Sequence, residues 1–322
     1  MKPIGGFFDL ELPPPGSGPH PGAVALSTGR ACMALWIREV RPARCYVPFY
    51  CCNALIQPLL AARIPFEFYA IDDQLHPIRL PQNPENDEWL VWTNFFGLLA
   101  NRLEPLAEVW GGRILVDNTH AFFEAHEPGL WSFTSARKYF GVSDGAYCYR
   151  PDGDATPPEV ERLLPASAHH LVARYTRAAE DAFGLYQTAE SALDCSLQRI
   201  SVFTERVMAG VDMESVQAAR ACNLEILVER LAEYNIFAPA NFVQAESAFC
   251  YPFLPPASIP RSSLFAQKLF IPTFWPDIER REEDGFHLER KLSKDLLPLP
   301  IDHRYQSEDM LRLATALLEY IR

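Results

Sequence analysis

Between residues 113 and 149 the sequence sets an acid, a histidine, a serine and a lysine just past the ends of two apolar runs. The run Arg113–Val116 delivers Asp117 and then His120, and the run Leu130–Thr134 delivers Ser135 and Lys138. A glycine-bearing turn from Gly141 to Gly145 and a third β-like run, Ala146–Tyr149, follow. Short apolar runs between turn signals read as buried strands of a parallel sheet. In open α/β sheets, ligands sit at the carboxyl ends of the strands. A carboxylate and a lysine ending neighbouring strands therefore point to a cofactor that needs both an anion and an amine.

Pyridoxal phosphate (PLP) meets that need, because its aldehyde forms a Schiff base with lysine and a carboxylate keeps its ring nitrogen protonated. The stretch resembles the core of the fold-type I PLP enzymes, and most closely the sugar aminotransferases of the DegT/DnrJ/EryC1/StrS family. The residues that carry the resemblance are Asp117-Asn118-Thr119-His120, Ser135-Ala136-Arg137-Lys138 and Asp144-Gly145. It implies that Lys138 is the catalytic residue and the cofactor's anchor, and that Asp117 accepts the pyridinium N–H. His120 would contact the ring oxygen or orient the ring, the other reading being a buried histidine. Ser135 would bind the phosphate. The commoner family form sets the serine five residues before the lysine; here Ser132 lies six before Lys138 and Ser135 three.

Those groups need a phosphate cradle and a face for the ring. Ser27, Thr28 and Gly29 form a capping cluster before the apolar run Ala31, Ala34, Leu35 and Ile37, so a helix is expected from about residue 29. Its free N–H groups and partial positive charge suit a phosphate. The matching family segment reads Ser-Gly-Thr-x-Ala, which makes Thr28, Gly29 and Arg30 the implied contacts, with Arg30 where threonine is common. Residues 45–71 read strand, turn, helix, strand. The family stacks an aromatic residue from this turn on the pyridine ring, and Tyr50 is favoured over Phe49. An aromatic core plug is the alternative for that position.

At 322 residues the chain is long enough for one large domain and a small one. Its composition, 48% hydrophobic and 22% charged, is that of a globular protein. The net charge of −12 argues against nucleic acid and anionic membrane as partners. No apolar run reaches membrane-span length and no signal-peptide pattern opens the chain, so a cytoplasmic protein is expected. The eight cysteines form no C-x-x-C pair and the histidines are scattered, which points to reduced core thiols and no zinc site.

The expected organisation is an irregular Pro/Gly-rich arm over 1–22, a large PLP-binding domain over 23–235 and a small α+β domain over 236–322. The large domain holds strands near 88–93, 113–117, 130–134 and 145–149, a helix over 101–109 and a helical segment over 157–235. That segment includes helices at 159–164, 171–183, 191–207 and 214–234. The C-terminal part reads strand 247–254, helix 262–269, strand 270–276, charged loop 277–291, a leucine-proline segment from 297 and a closing helix 308–321. The fold class is α/β, fold-type I PLP transferase-like: a mostly parallel sheet between helices. The resemblance implies a homodimer that transfers an amino group, with glutamate as donor, to a keto-sugar nucleotide. Two alternatives stand beside it. One is another PLP reaction on the same scaffold, such as dehydration, for which relatives carry histidine in place of the lysine. The other is a non-catalytic binding protein.

Overall fold

The computed structural model describes all residues except 1–7, 9, 15, 100, 101, 125, 165, 166, 238–247 and 322. The apolar runs are strands. In chain order the sheet-forming half comprises β1 (Val24–Leu26), α1 (Gly29–Val40), β2 (Arg44–Pro48), α2 (Asn53–Ala62), β3 (Phe66–Ile71), β4 (Pro77–Ile78), β5 (Glu88–Thr93), α3 (Glu104–Trp110), β6 (Ile114–Asp117), β7 (Trp131–Ser135) and β8 (Ala146–Tyr149). They build one eight-stranded sheet in the order β1-β8-β7-β6-β5-β2-β3-β4. The five central strands, β7-β6-β5-β2-β3, are parallel, while β8 and β4 run antiparallel to their neighbours. Parallel strands covered on both faces are apolar without alternation, and β6 and β7 are buried at every position.

The two sheet faces feed two clusters. Val91, Leu115 and Phe133 pack with Leu35, Trp36 and Leu55 of α1 and α2. Their neighbours Leu90, Trp92, Ile114 and Val116 point the other way, into a cluster shared with the C-terminal elements. Those elements are α4 (His169–Thr176), α5 (Ala179–Ser191), α6 (Val202–Ala209), α7 (Met213–Leu231), β9 (Cys250–Phe253), α8 (Arg261–Ala266), α9 (His287–Asp295), β10 (Leu297–Pro300) and α10 (Ser307–Leu318). β9 and β10 pair antiparallel, and α7 packs on α10.

Several expected elements differ. Residues 159–164 are not helical; they run beside the chain at Arg199, where the Leu163 N–H donates to the Arg199 carbonyl at 3.0 Å. The Arg199 N–H in turn donates to the Glu161 carbonyl at 2.9 Å, so a neighbouring backbone takes the bonds a helix would use. The helix expected over 191–207 begins only at Val202, because residues 198–200 are held by Ser27 and Ala25 beside β1. The run 171–183 is two helices, broken at Arg177 and Ala178. No strand forms over 270–276, and the charged loop contains α9, whose Leu292 and Glu289 are its buried side. The first residues of the helix expected at 101 and of the strand expected at 247 lie outside the described residues. The described part of the arm is irregular and lies on the chain's own α6: Arg206 donates to the Pro13 carbonyl at 2.7 Å.

A polar clamp fixes the turn between β7 and β8. Asp144 is fully buried and accepts hydrogen bonds from the Ser201 N–H at 2.7 Å, from the Ser201 hydroxyl at 2.8 Å, and from the Thr204 hydroxyl. Ser201 also caps α6 through the Thr204 N–H. Next to it Gly145 adopts φ +110°, and a Cβ there would meet the Thr204 methyl at 3.0 Å and Ile200 at 3.2 Å. Only glycine fits both demands. Replacing Asp144 by Ala strands the buried Ser201 N–H, so Asp144→Ala is expected to destabilise the fold by about 2–4 kcal/mol. Urea unfolding measures it, and a midpoint equal to wild type would show that the clamp contributes nothing.

Candidate active site

The carboxyl ends of β6 and β7 open onto a cavity of about 720 Å³. Its lining includes Thr28, Gly29 and Arg30 at the start of α1, Asp117 and Thr119 after β6, and Ser135, Arg137 and Lys138 after β7. Six of the eight sequence-derived residues therefore meet in one space.

Each is placed for a local reason. Thr28 is extended (φ −147°, ψ 166°) and its hydroxyl accepts the Ala31 N–H, which starts α1 directly over the cavity. Asp117 ends β6 in register with Phe133 of β7 and is 6% exposed. Its Oδ1 accepts the Thr119 N–H at 2.9 Å. Burial raises the Asp117 pKa; bonds from Thr119 and the charge of Lys138 pull it back only in part. Ser135 closes β7, and the chain then winds through a short 3-10 turn, Ala136–Lys138, held by the Ala136 N–H on the Gly145 carbonyl at 3.0 Å. That turn presents Lys138 as an exposed side chain on the cavity wall.

Ser132 bonds His126 at 2.9 Å and is absent from the cavity lining, whereas Ser135 lies on it.

Two expected residues lie elsewhere. Tyr50 does not face the cavity: it is fully buried between Phe95 at 5.6 Å and Trp275 at 4.6 Å, as a core plug. Arg281 reaches the carbonyls of Phe49 and Cys51, and Phe49 stacks on Phe286 at 3.9 Å. These contacts turn the aromatic pair inward and leave Cys52 and Asn53 on the wall. His120 is 2% exposed, is stacked on Phe249 at 4.4 Å, and is not on the lining either. Burial, then the charge of Lys138, lowers its pKa well below the usual value, so it is neutral at pH 7.

Sequence reasoning missed Arg137, which donates to the Ser143 carbonyl at 3.0 Å and pairs with Glu190 of α5. It also missed Thr119, whose place two residues after an Asp is a recognisable Asx-turn signal. Arg174 of α4 and Phe183 and Tyr186 of α5 complete a wall that no motif marks.

The charges are unequal in their freedom. Glu190 is paired with Arg137, Asp302 with Arg304, and Asp277 accepts the Asn53 N–H at 3.1 Å. Arg30 bonds only the neutral Gln57 side chain, and Lys138 and Arg174 have no hydrogen bond or ion pair among the described residues. The cavity of an acidic chain therefore has a surplus of available cations. Folding buries the Asp117 charge, and its raised pKa means that the ionised form costs stability at neutral pH. Asp117→Asn keeps the acceptor for Thr119 and removes that charge. The variant, free of cofactor, is expected to melt above wild type at pH 7, by roughly 2–4 °C per kcal/mol relieved. The gap should narrow as pH falls through the raised Asp117 pKa, where the wild-type carboxylate takes up a proton. A variant that melts no higher than wild type at pH 7 would contradict this.

No family model matches the sequence, and no curated protein matches it. Solved structures do match. DesV of S. venezuelae, in complex with a ketimine intermediate, superposes with a TM-score of 0.67 at 16% identity, over 93% of this chain and 85% of that one. A DegT DnrJ EryC1 StrS aminotransferase from Brucella abortus gives 0.59 at 14% identity, over 93% and 86%. The GDP-4-keto-6-deoxymannose-3-dehydratase ColD, with bound GDP-perosamine, gives 0.62 at 14%, over 92% and 88%. The mostly parallel sheet between helices, matched along nearly the whole chain to these structures, is a fold-type I PLP transferase fold.

Proposed function

We propose that this protein is a PLP-dependent aminotransferase that moves an amino group, with glutamate as donor, to a keto-sugar nucleotide. One observation carries the reading: a free lysine amine and a desolvated carboxylate end adjacent parallel strands and share a cavity with a helix N-terminus. The residues fit the cofactor. A buried Asp117 whose pKa is raised by desolvation is the group that gains most from a cationic N–H partner. At α1 the Thr28 hydroxyl accepts the Ala31 N–H and keeps its own O–H to donate, so that hydroxyl, the backbone N–H groups of Gly29 and Arg30 and the Arg30 guanidinium are the phosphate donors of this reading. Ser135 adds a hydroxyl.

When bound, PLP supplies a carbon that accepts and returns the amino group and a protonated ring that takes up electrons. Lys138 Nζ would hold it covalently. Displaced by the substrate amine, the same nitrogen would carry the proton off and onto the substrate carbon. Asp117 would hold the proton on the ring nitrogen. The GDP-perosamine bound to ColD supports a sugar nucleotide as the substrate class. Lysine rather than histidine at position 138 favours amino transfer over dehydration. The reading includes a homodimer and a cytoplasmic location, both implied by the resemblance and the sequence.

The test is a visible spectrum of the purified protein with added PLP, before and after borohydride reduction, followed by peptide mapping. One adduct per chain is expected on Lys138, and none in Lys138→Ala. Asp117→Ala should weaken PLP retention at least tenfold, about 1.4 kcal/mol. A folded wild-type protein with no new absorbance band and no adduct would sink the enzyme reading and leave the binding-protein alternative.

A further inference from the structure

Helix α7 carries two buried polar side chains one turn apart, Arg220 and Asn223, each 2% exposed. The Asn223 amide donates to the carbonyls of Ile301, Asp302 and Tyr305 at 3.3, 3.2 and 3.1 Å. It thereby fixes the loop whose Asp302, His303 and Arg304 line the cavity. Arg220 reaches elsewhere. Its Nη2 donates to the Ala248 carbonyl at 2.9 Å and to the Phe249 carbonyl at 2.7 Å, and its guanidinium carbon lies 4.5 Å from the centre of the Tyr139 ring. Among the described residues no carboxylate stands within ion-pair distance of it. Burial lowers the Arg220 pKa; Tyr139 and Asp302 oppose that, and Asp302 is itself paired with Arg304. A desolvated guanidinium held by carbonyls and a ring face is a costly choice where an apolar side chain of similar volume would fill the space. What it holds gives the reason.

Both contacts lead to the site within one residue. Tyr139 follows Lys138 and closes the turn that carries it: the Tyr139 and Phe140 N–H groups donate to the Ala136 carbonyl at 3.0 and 2.8 Å. Phe249 stacks on His120 at 4.4 Å and tilts against the Tyr139 ring at 5.3 Å. One cation thus joins the residue after Lys138 to the ring that packs on His120, and so ties the exit of β7 to the exit of β6. The face of a tyrosine attracts a cation, and more strongly where both are away from water. We infer that Arg220 is a positioning residue of the site: by gripping the Tyr139 ring and the Phe249 backbone, it sets where Lys138 Nζ stands relative to Asp117. This rests on the reading above for the cofactor that would span Lys138 and Asp117, whereas the grip itself needs no cofactor.

The experiment begins with amide hydrogen exchange on the cofactor-free full chain, which reads the lysine turn directly. Arg220→Gln keeps an N–H2 donor for the two carbonyls and removes the charge over the ring. In it the Tyr139 and Phe140 amides should exchange about tenfold faster, with the amides of α1 and β6 unchanged. Arg220→Lys keeps a cation without the planar fork, so about threefold is expected, and this milder variant carries the test where Arg220→Gln does not fold. Tyr139→Leu should also loosen the turn, and the double variant should exchange no faster than the faster single one, because both changes remove one contact. With PLP added, the pH midpoint of the absorbance band of the Lys138 adduct should shift by about half a pH unit in Arg220→Gln. Turn amides that keep the wild-type rate in folded variants overturn the inference. So do additive effects of the two substitutions, or faster exchange confined to residues 248–253 with an unmoved midpoint, because Arg220 would then serve only the C-terminal strand. The two readings fail separately: a loosened turn without any Lys138 adduct in wild type removes the enzyme reading and keeps the grip, whereas an adduct with an unchanged turn removes only the role of Arg220.

Discussion

The site depends on the register between β6 and β7. Asp117 stands opposite Phe133, so the next residues of both strands emerge together at the sheet's edge. Side chains alternate along a strand, and a slip of one residue would turn Asp117 to the opposite face, away from α1. A parallel pair cannot be closed by a tight hairpin. The thirteen-residue connection from 118 to 130 crosses instead, and it is anchored by Phe122 and Phe123 among Tyr139 and Phe140. The aromatics that fix the crossover thus also hold the two residues that follow Lys138.

Electrostatics within the cavity are set by pairing rather than by the overall balance of charge. The chain as a whole is strongly acidic, yet most carboxylates near the site are engaged by arginines or by backbone. In a cleft with low-dielectric walls, the charges that lack partners dominate the local field. Here these are cations at the rim, above a desolvated carboxylate at depth whose partner is Thr119. That distribution suits a ligand with anionic groups at its periphery and a protonated nitrogen at its centre.

Much of this was legible because local signals and tertiary structure agreed. The runs ending at Asp117 and Ser135 are short, rich in β-branched and aromatic residues and buried at every position, and nothing competes with a strand there. The Thr28 cap marked the start of α1 to the residue. What was not legible was decided at long range. Tyr50 turned inward because Arg281 and Phe286, more than two hundred residues later, take hold of the turn. Residues 159–164 have helical periodicity, but a neighbouring backbone at Arg199 claims their hydrogen bonds. α9 hid behind its charges, since its buried side is little more than Leu292 and a Glu289 carboxylate that accepts the Ile71 N–H. Arg174, Phe183 and Tyr186 have no motif at all, and only the folding back of α4 and α5 gives them a common direction.

The strand that leads into α1, β1, pairs with β8, with Val24 opposite Cys148, and is bridged to the still later chain at Arg199. The segment that leads into α1 must therefore wait for about 120 further residues before its sheet position exists. At ordinary elongation rates that wait is on the order of ten seconds. Over that interval the apolar face of α1 has α2 as its nearest companion, and α1 and α2 do pack together in the finished structure. The order of synthesis thus favours an early helical pair that later accepts β8 and, with it, the lysine turn.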